Sequence, residues 1–113
     1  MDERYGKSER LRKRSEIRNA LRRRGIAGKY FIVHIRATDK PVSRFTAIAG
    51  RRSGKAVVRN RAKRRVREIL RRIKNRLKSK VDIVIRTQTG IQEASYAEME
   101  DDLIGILKQQ NLL

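Results

Sequence analysis

The 113-residue chain has no cysteine, one histidine and one proline. Without cysteine there is neither a disulfide framework nor a thiolate metal site, a composition compatible with a reducing compartment. The single histidine, His34, and acids of which half lie in residues 81–113 give no HExxH, no phosphate-binding GxxxxGK loop and no paired carboxylates at recognisable spacing. A protein-borne active site would need a base, a nucleophile or a metal cluster, so no catalytic residue and no protein-held metal are expected. No apolar run approaches about 18 residues, and no signal with an apolar centre opens the chain. A cytoplasmic protein with no membrane partner is the expectation. Acids are scarce as well: 12 Asp and Glu face 31 Lys and Arg, for a net charge of +19.

That charge is unevenly spread. Residues 1–80 hold 29 bases and 6 acids, a charge of +23, and residues 81–113 hold 2 bases and 6 acids, a charge of −4. The densest part is KAVVRNRAKRRVREILRRIKNRLKSK at 55–80, where eleven Lys or Arg fall between Arg59 and Lys78 with Glu68 as the single acid. Val58, Ala62, Val66, Ile69, Leu70, Ile73 and Leu77 recur at steps of three and four, which predicts one helix over about 56–78 with a buried stripe. Six like-charged pairs stand four apart on it, each unfavourable by roughly 0.2–0.5 kcal/mol, or about 1–3 kcal/mol together. A solvated helix face normally mixes signs. One that repels itself points to a polyanion that neutralises it, nucleic acid before a membrane, because the apolar residues are committed to a core.

At this length the chain makes one small domain, expected over 15–113, preceded by a basic arm at 1–14 that orders on meeting a partner. Ser15 is placed to cap a first helix bearing Ile17, Ala20 and Leu21 on one face, with Gly25 as its left-handed stop. Tyr30 to Arg36 alternates with period two: Phe31, Val33 and Ile35 point one way, and Tyr30, Ile32, His34 and Arg36 the other. A turn at 38–41 ending in Pro41 leads to a second strand at about 44–50, and the two are expected to pair as a hairpin. A short extra strand is expected near 26–28. The apolar stretch from Asp82 to Arg86 predicts an interior strand. Ser95 and Glu98 form a capping box for a last helix with Met99, Leu103, Ile106 and Leu107 on its apolar face, and Glu98, Asp101 and Asp102 suit its positive N-terminal end.

The segment GKAVVRNRAKRRVREILR at 54–71 resembles the signature of the protein subunit of bacterial ribonuclease P: a glycine, a β-branched run, Arg-Asn-Arg, then Lys-Arg and Arg-Glu on one helix. ERLRKRSEI at 9–17, FIVHI at 31–35 and DIVI at 82–85 extend the likeness over roughly residues 9–108. The resemblance implies an α+β fold, a small two-layer α/β sandwich of order α-β-β-β-α-β-α with a left-handed β-α-β crossover, where physics alone favours a right-handed one. It also implies a partner, the catalytic RNA subunit, and a substrate, precursor tRNA, whose 5′ leader the holoenzyme removes with chemistry supplied by RNA-held Mg2+. No protein partner is required. By position, Arg59, Asn60, Arg61, Lys63, Arg64 and Arg67, with Lys55 and the pair Arg51 and Arg52 before them, would contact the RNA subunit.

The family's leader cleft, two aromatics on the first helix and one on the second strand, falls here on Ile17, Leu21 and His34, with Tyr30 and Arg36 beside His34. Aliphatic residues forgo base–aromatic stacking, worth about 1–3 kcal/mol per base. Arg86 also follows Asp82 sooner than the family's arginine does. Two other readings of the cationic helix stand beside this one: a structural, ribosomal-type RNA-binding protein without a processing role, and a DNA-binding protein, for which no dimerising heptads are seen.

Overall fold

The computed structural model describes residues 10–50 and 54–113. The elements run α1 (Arg14–Leu21), β1 (Ile26–Ala27), β2 (Phe31–Ala37), β3 (Arg44–Ile48), α2 (Ala56–Ile73), β4 (Val81–Thr87) and α3 (Tyr96–Gln109), with single 3-10 turns at Lys74–Arg76 and Ile91–Glu93. The α-β-β-β-α-β-α order read from the sequence is the order observed.

The expected β2–β3 hairpin does not form. The sheet order is β1-β2-β4-β3, with β4 antiparallel to β2 (Val33 opposite Ile85) and parallel to β3 (Phe45 opposite Ile83). The cause lies in β4, whose residues Val81, Asp82, Ile83, Val84 and Ile85 are all buried. A strand apolar on both faces loses least in the sheet centre, while β3 carries Arg44 and a half-exposed far end and takes the edge. The β3–α2–β4 segment is therefore a parallel crossover between adjacent strands.

One face of the sheet presents Phe31, Val33, Phe45, Ile83 and Ile85 to Val66, Ile69, Leu70 and Ile73 of α2 and to Met99, Leu103, Ile106 and Leu107 of α3, a single core of nineteen buried residues. Burying each large aliphatic or aromatic side chain contributes roughly 1.5–3 kcal/mol. The opposite face carries α1 on a small cluster of Leu11, Ala20 and Val84, with Ile17 and Leu21 at its rim.

Three boundaries differ from the sequence reading. The domain begins earlier than residue 15: Leu11 is buried, its N–H donates to the Phe45 carbonyl at 2.8 Å, and Arg10 bridges β3 in parallel. Residues 1–9 of the expected arm lie outside the described residues. Helix α1 starts at Arg14 behind Lys13, with no side-chain cap, so Ser15 sits inside the first turn. Gly25 does not take the left-handed stop either, for Gly54 and Gly90 are the positive-φ glycines among the described residues. Its bare Cα admits a close approach instead: a Cβ there would lie 2.6 Å from Ile32 Cγ2 and 3.0 Å from His34 Cε1.

The α2 helix is 18 residues long, about 27 Å at 1.5 Å per residue, and ends at Ile73 where the prediction carried it to about 78. Its stripe is as expected, with Ala62, Val66, Ile69, Leu70 and Ile73 buried. After Ile73 the chain tightens to 3-10 geometry, Leu77 turns extended, and the Lys78 N–H donates to the Leu112 carbonyl at 3.0 Å. Return to the start of β4 overrides a pattern that would have carried the helix on. At α3 the capping box is present, with Ser95 Oγ accepting from the Glu98 N–H and Glu98 Oε1 accepting from the Ser95 N–H.

Candidate nucleic-acid interface

With its apolar stripe against the sheet and α3, α2 turns Asn60, Arg64 and Arg67 outward at steps of four and three. Lys55, Asn60, Arg61, Arg64 and Arg67 are exposed, and Arg59 and Lys63 are half-buried. Arg51 and Arg52 lie outside the described residues. The first turn of α2 holds no acid, so the positive end of the helix dipole meets added positive charge, the reverse of the usual arrangement. Among the described residues one carboxylate pairs with this helix, Glu100 with Arg72 at 3.7 Å. Arg65 and Arg72 are turned toward α3: Arg65 donates weakly to the Ala94 carbonyl at 3.4 Å, and Arg72 lies over the Tyr96 ring. Arg61, Arg64 and Arg67 face outward, and among the described residues no carboxylate pairs with them.

On the other flank, Arg67 joins Arg10 and Arg12 around a cleft of about 230 Å³ floored by Phe45, Thr46 and Ala47. The sequence reading did not associate these arginines, because a bridge joining residue 10 to residue 45 leaves no local periodic signal.

The second candidate surface lies between α1 and the sheet, where the structure brings together Ile17, Leu21, His34 and Arg36. Ile17 and Leu21 are half-buried against Val84. His34, opposite Val84 in the register, is 5% exposed. Arg86 Nε donates to its Nε2 at 3.1 Å, so its Nδ1 carries the proton and donates to the Arg23 carbonyl at 2.7 Å. Both ring nitrogens are thus engaged, and Arg86 beside the ring is half-buried. Tyr30 is not on this surface. It precedes β2, packs in the main core and donates through its hydroxyl to Glu98 Oε2 at 3.0 Å. The alternation assumed for it fails because the Asp102 carboxylate of α3 accepts the N–H groups of Lys29, Tyr30 and Phe31 at 2.8, 2.9 and 3.1 Å and bends the chain there. Asp102 is thus a strand-entry acceptor, not a partner of the helix dipole. Glu98 stays in the role expected of it, held below the usual carboxylate range by the Ser95 backbone N–H and then by the Tyr30 hydroxyl.

At one end of the same surface three charged residues meet. Arg44 of β3 donates from Nε to Asp82 Oδ1 at 2.9 Å and from Nη2 to Asp82 Oδ2 at 2.7 Å, and the same Nη2 bonds the Glu16 carboxylate of α1. Asp82 is 1% exposed. Chiefly through the hydrogen bond from Arg44, Glu16 is held below its ordinary value, and the two carboxylates keep Arg44 charged. With Arg36, Thr38 and Lys40 the three line a cleft of about 580 Å³. A charged residue inside an otherwise apolar strand was the available signal, since a buried carboxylate demands a partner, but sequence could not name Arg44 and Glu16 as that partner.

Fold and surface together define a small basic α+β domain that presents an arginine-rich helix to a polyanion. A profile of the ribonuclease P family matches residues 5–111, and the chain belongs to that family. It is 35% identical over 107 residues to the ribonuclease P protein component of Syntrophomonas wolfei, covering 94% of this chain and 90% of that one. It is 38% identical over 106 residues to that of Acidothermus cellulolyticus, covering 88% of each. Among solved structures, the RNase P protein of Thermotoga maritima superposes with a TM-score of 0.79 at 31% identity, over 89% of this chain and 96% of that one. The Staphylococcus aureus RNase P protein, at 20% identity and a TM-score of 0.83, covers 94% and 98% and speaks for the fold.

Proposed function

We propose that this chain, as the protein component of a ribonuclease P, docks on a catalytic RNA through α2 and holds the 5′ leader of precursor tRNA between α1 and the sheet. The observation that supports this reading is the outward face of α2. Asn60, Arg61, Arg64 and Arg67 are exposed, a first turn without acids precedes them, and one carboxylate pairs with the helix among the described residues. Phosphates would remove the self-repulsion of the helix and release counterions as they bind. Asn60 offers both a donor and an acceptor to RNA.

Hydrolysis is assigned to RNA-bound Mg2+. The protein's own acids fit that ion poorly, for no three of His, Asp and Glu converge among the described residues. Glu16 and Asp82 already serve Arg44, and Asp102 serves the backbone. On the leader side, the half-buried Arg86 would meet bases or phosphates where the family uses an aromatic ring, while His34, buried with both nitrogens bonded, supports it from below and does not take the contact role expected of it.

Leader removal by the cognate RNA at low magnesium, measured with and without the protein, tests the reading. The protein raises the rate or the affinity for precursor; no gain in either refutes the assignment. Arg61→Ala with Arg64→Ala flattens the log–log salt dependence of RNA affinity by about one to two units, at roughly 0.7–0.9 per phosphate contact. An unchanged slope removes both side chains from the interface.

A further inference from the structure

The α1 helix carries half of the surface assigned to the leader, yet few apolar contacts hold it. The cluster that seats it holds three buried residues, its own Ala20 with Leu11 and Val84, against nineteen in the main core. The polar contact beside them is of a different kind. Parallel pairing sets Arg44 next to Asp82, and two hydrogen bonds to a buried carboxylate fix the guanidinium plane. The same Nη2 reaches off the sheet to Glu16, the neighbour of Ile17 on the helix. A rotation or lift of α1 would break this geometry before it exposed much apolar area.

Stability alone does not explain the arrangement. Apolar side chains of the same volume commonly hold an interior as well as a buried ion pair does, while a bidentate arginine specifies an angle and a distance that they do not. Asp82 would be satisfied by Arg44 without Glu16. The third member adds a rigid link from the sheet to α1, at the mouth of the 580 Å³ cleft that Arg36 and Lys40 also line.

We propose that Arg44 is a positioning residue: through Glu16 it sets the separation of α1 from the sheet, and with it the width of the channel that receives single-stranded RNA. This rests on the reading of that surface as the leader site. Arg44 touches the substrate through no atom of its own; its effect passes through the helix.

The test uses the reconstituted holoenzyme with its cognate RNA and three ligands: precursor with a five-nucleotide leader, precursor with a one-nucleotide leader, and mature tRNA. Glu16→Ala lowers affinity for the long-leader precursor by about three- to tenfold, the scale of one ordinary net hydrogen bond, and leaves the other two ligands and the RNA subunit within about twofold. Glu16→Gln, which keeps an acceptor, recovers part of the loss. Arg44→Met combined with Asp82→Asn leaves no buried charge unpaired and shows the same leader-length dependence if the link passes through Arg44. A Glu16→Ala holoenzyme with wild-type preference at every leader length overturns the proposal, and so does an equal loss for precursor and mature tRNA. Wild-type holoenzyme without any preference for precursor overturns the leader reading itself.

Discussion

Replacing Asp102 by alanine separates two accounts of the same carboxylate by size. If Asp102 served the dipole of α3, its removal would cost about 0.3–1 kcal/mol, screened by salt. The structure gives it three backbone donors instead. Lys29 is exposed and its N–H finds water after the substitution, but Tyr30 and Phe31 are buried, Phe31 fully. Two buried donors left without acceptors cost about 1–3 kcal/mol each, so about 2–6 kcal/mol is expected. At roughly 4 °C per kcal/mol for a domain of this size, Asp102→Ala lowers Tm by about 8–24 °C, and the loss persists in high salt. Asp101→Ala, an exposed acid one position earlier, supplies the control; it shifts Tm by about 4 °C or less and loses that shift as salt screens it. Asp102→Asn retains one acceptor oxygen and falls between them. Calorimetric melts of the three variants in low and high salt decide the matter. If Asp102→Ala and Asp101→Ala melt within about 2 °C of each other, the strand-entry role is refuted and with it the explanation of why Tyr30 leaves the α1 face.

Acid titration gives a second check. Glu16, chiefly through the hydrogen bond from Arg44, and Glu98, chiefly through the Ser95 backbone N–H, are held below the ordinary value of 4.5 in the folded state. The unfolded chain therefore binds more protons, stability rises with pH, and the contribution is complete above 4.5 and lost as pH falls through the folded values. Urea midpoints across the acid range show this slope, and Glu16→Gln makes it shallower; a variant with the wild-type slope rejects the Arg44 pairing as its source. Gly25→Ala drives a methyl against Ile32 and the His34 ring and is expected to cost about 1–3 kcal/mol, read as a lower urea midpoint at unchanged m. Wild-type stability in that variant would show that His34 is not tightly seated.

What the chain disclosed in advance was whatever a short window contains. The α2 stripe, the Ser95–Glu98 box and the apolar run of β4 each fit within a few turns or one strand, where spacing and residue type decide the outcome. The hairpin failed because adjacency in sequence was taken for adjacency in the sheet. The choice between a β3 partner at β2 and one at β4 depends on which strand can be buried on both faces, a comparison between segments some forty residues apart. The overlong helix failed for a related reason: Leu77 continues the period of Ile73, and nothing local announces that the chain must turn there to reach Val81. The acceptors and ion pairs that shape the candidate site are more distant still, Asp102 with Tyr30 at 72 residues and Arg44 with Asp82 at 38.

The candidate site divides along the same line. A polyanion needs exposed cations in number, which composition records, and so the α2 surface could be located from residue types alone. On the proposed reading, holding a single strand of RNA needs instead a gap of defined width between α1 and the sheet, set by the contacts that join them: Arg44 to Glu16, and His34 to Arg23 just past α1. Glu16, Arg23 and Arg44 carry no motif of their own, and only the distances bring them to this surface, whereas His34 was reached through the family resemblance. Variants at Glu16 or His34 should therefore alter which RNA is preferred, while variants at Arg61 and Arg64 alter how strongly any RNA is held.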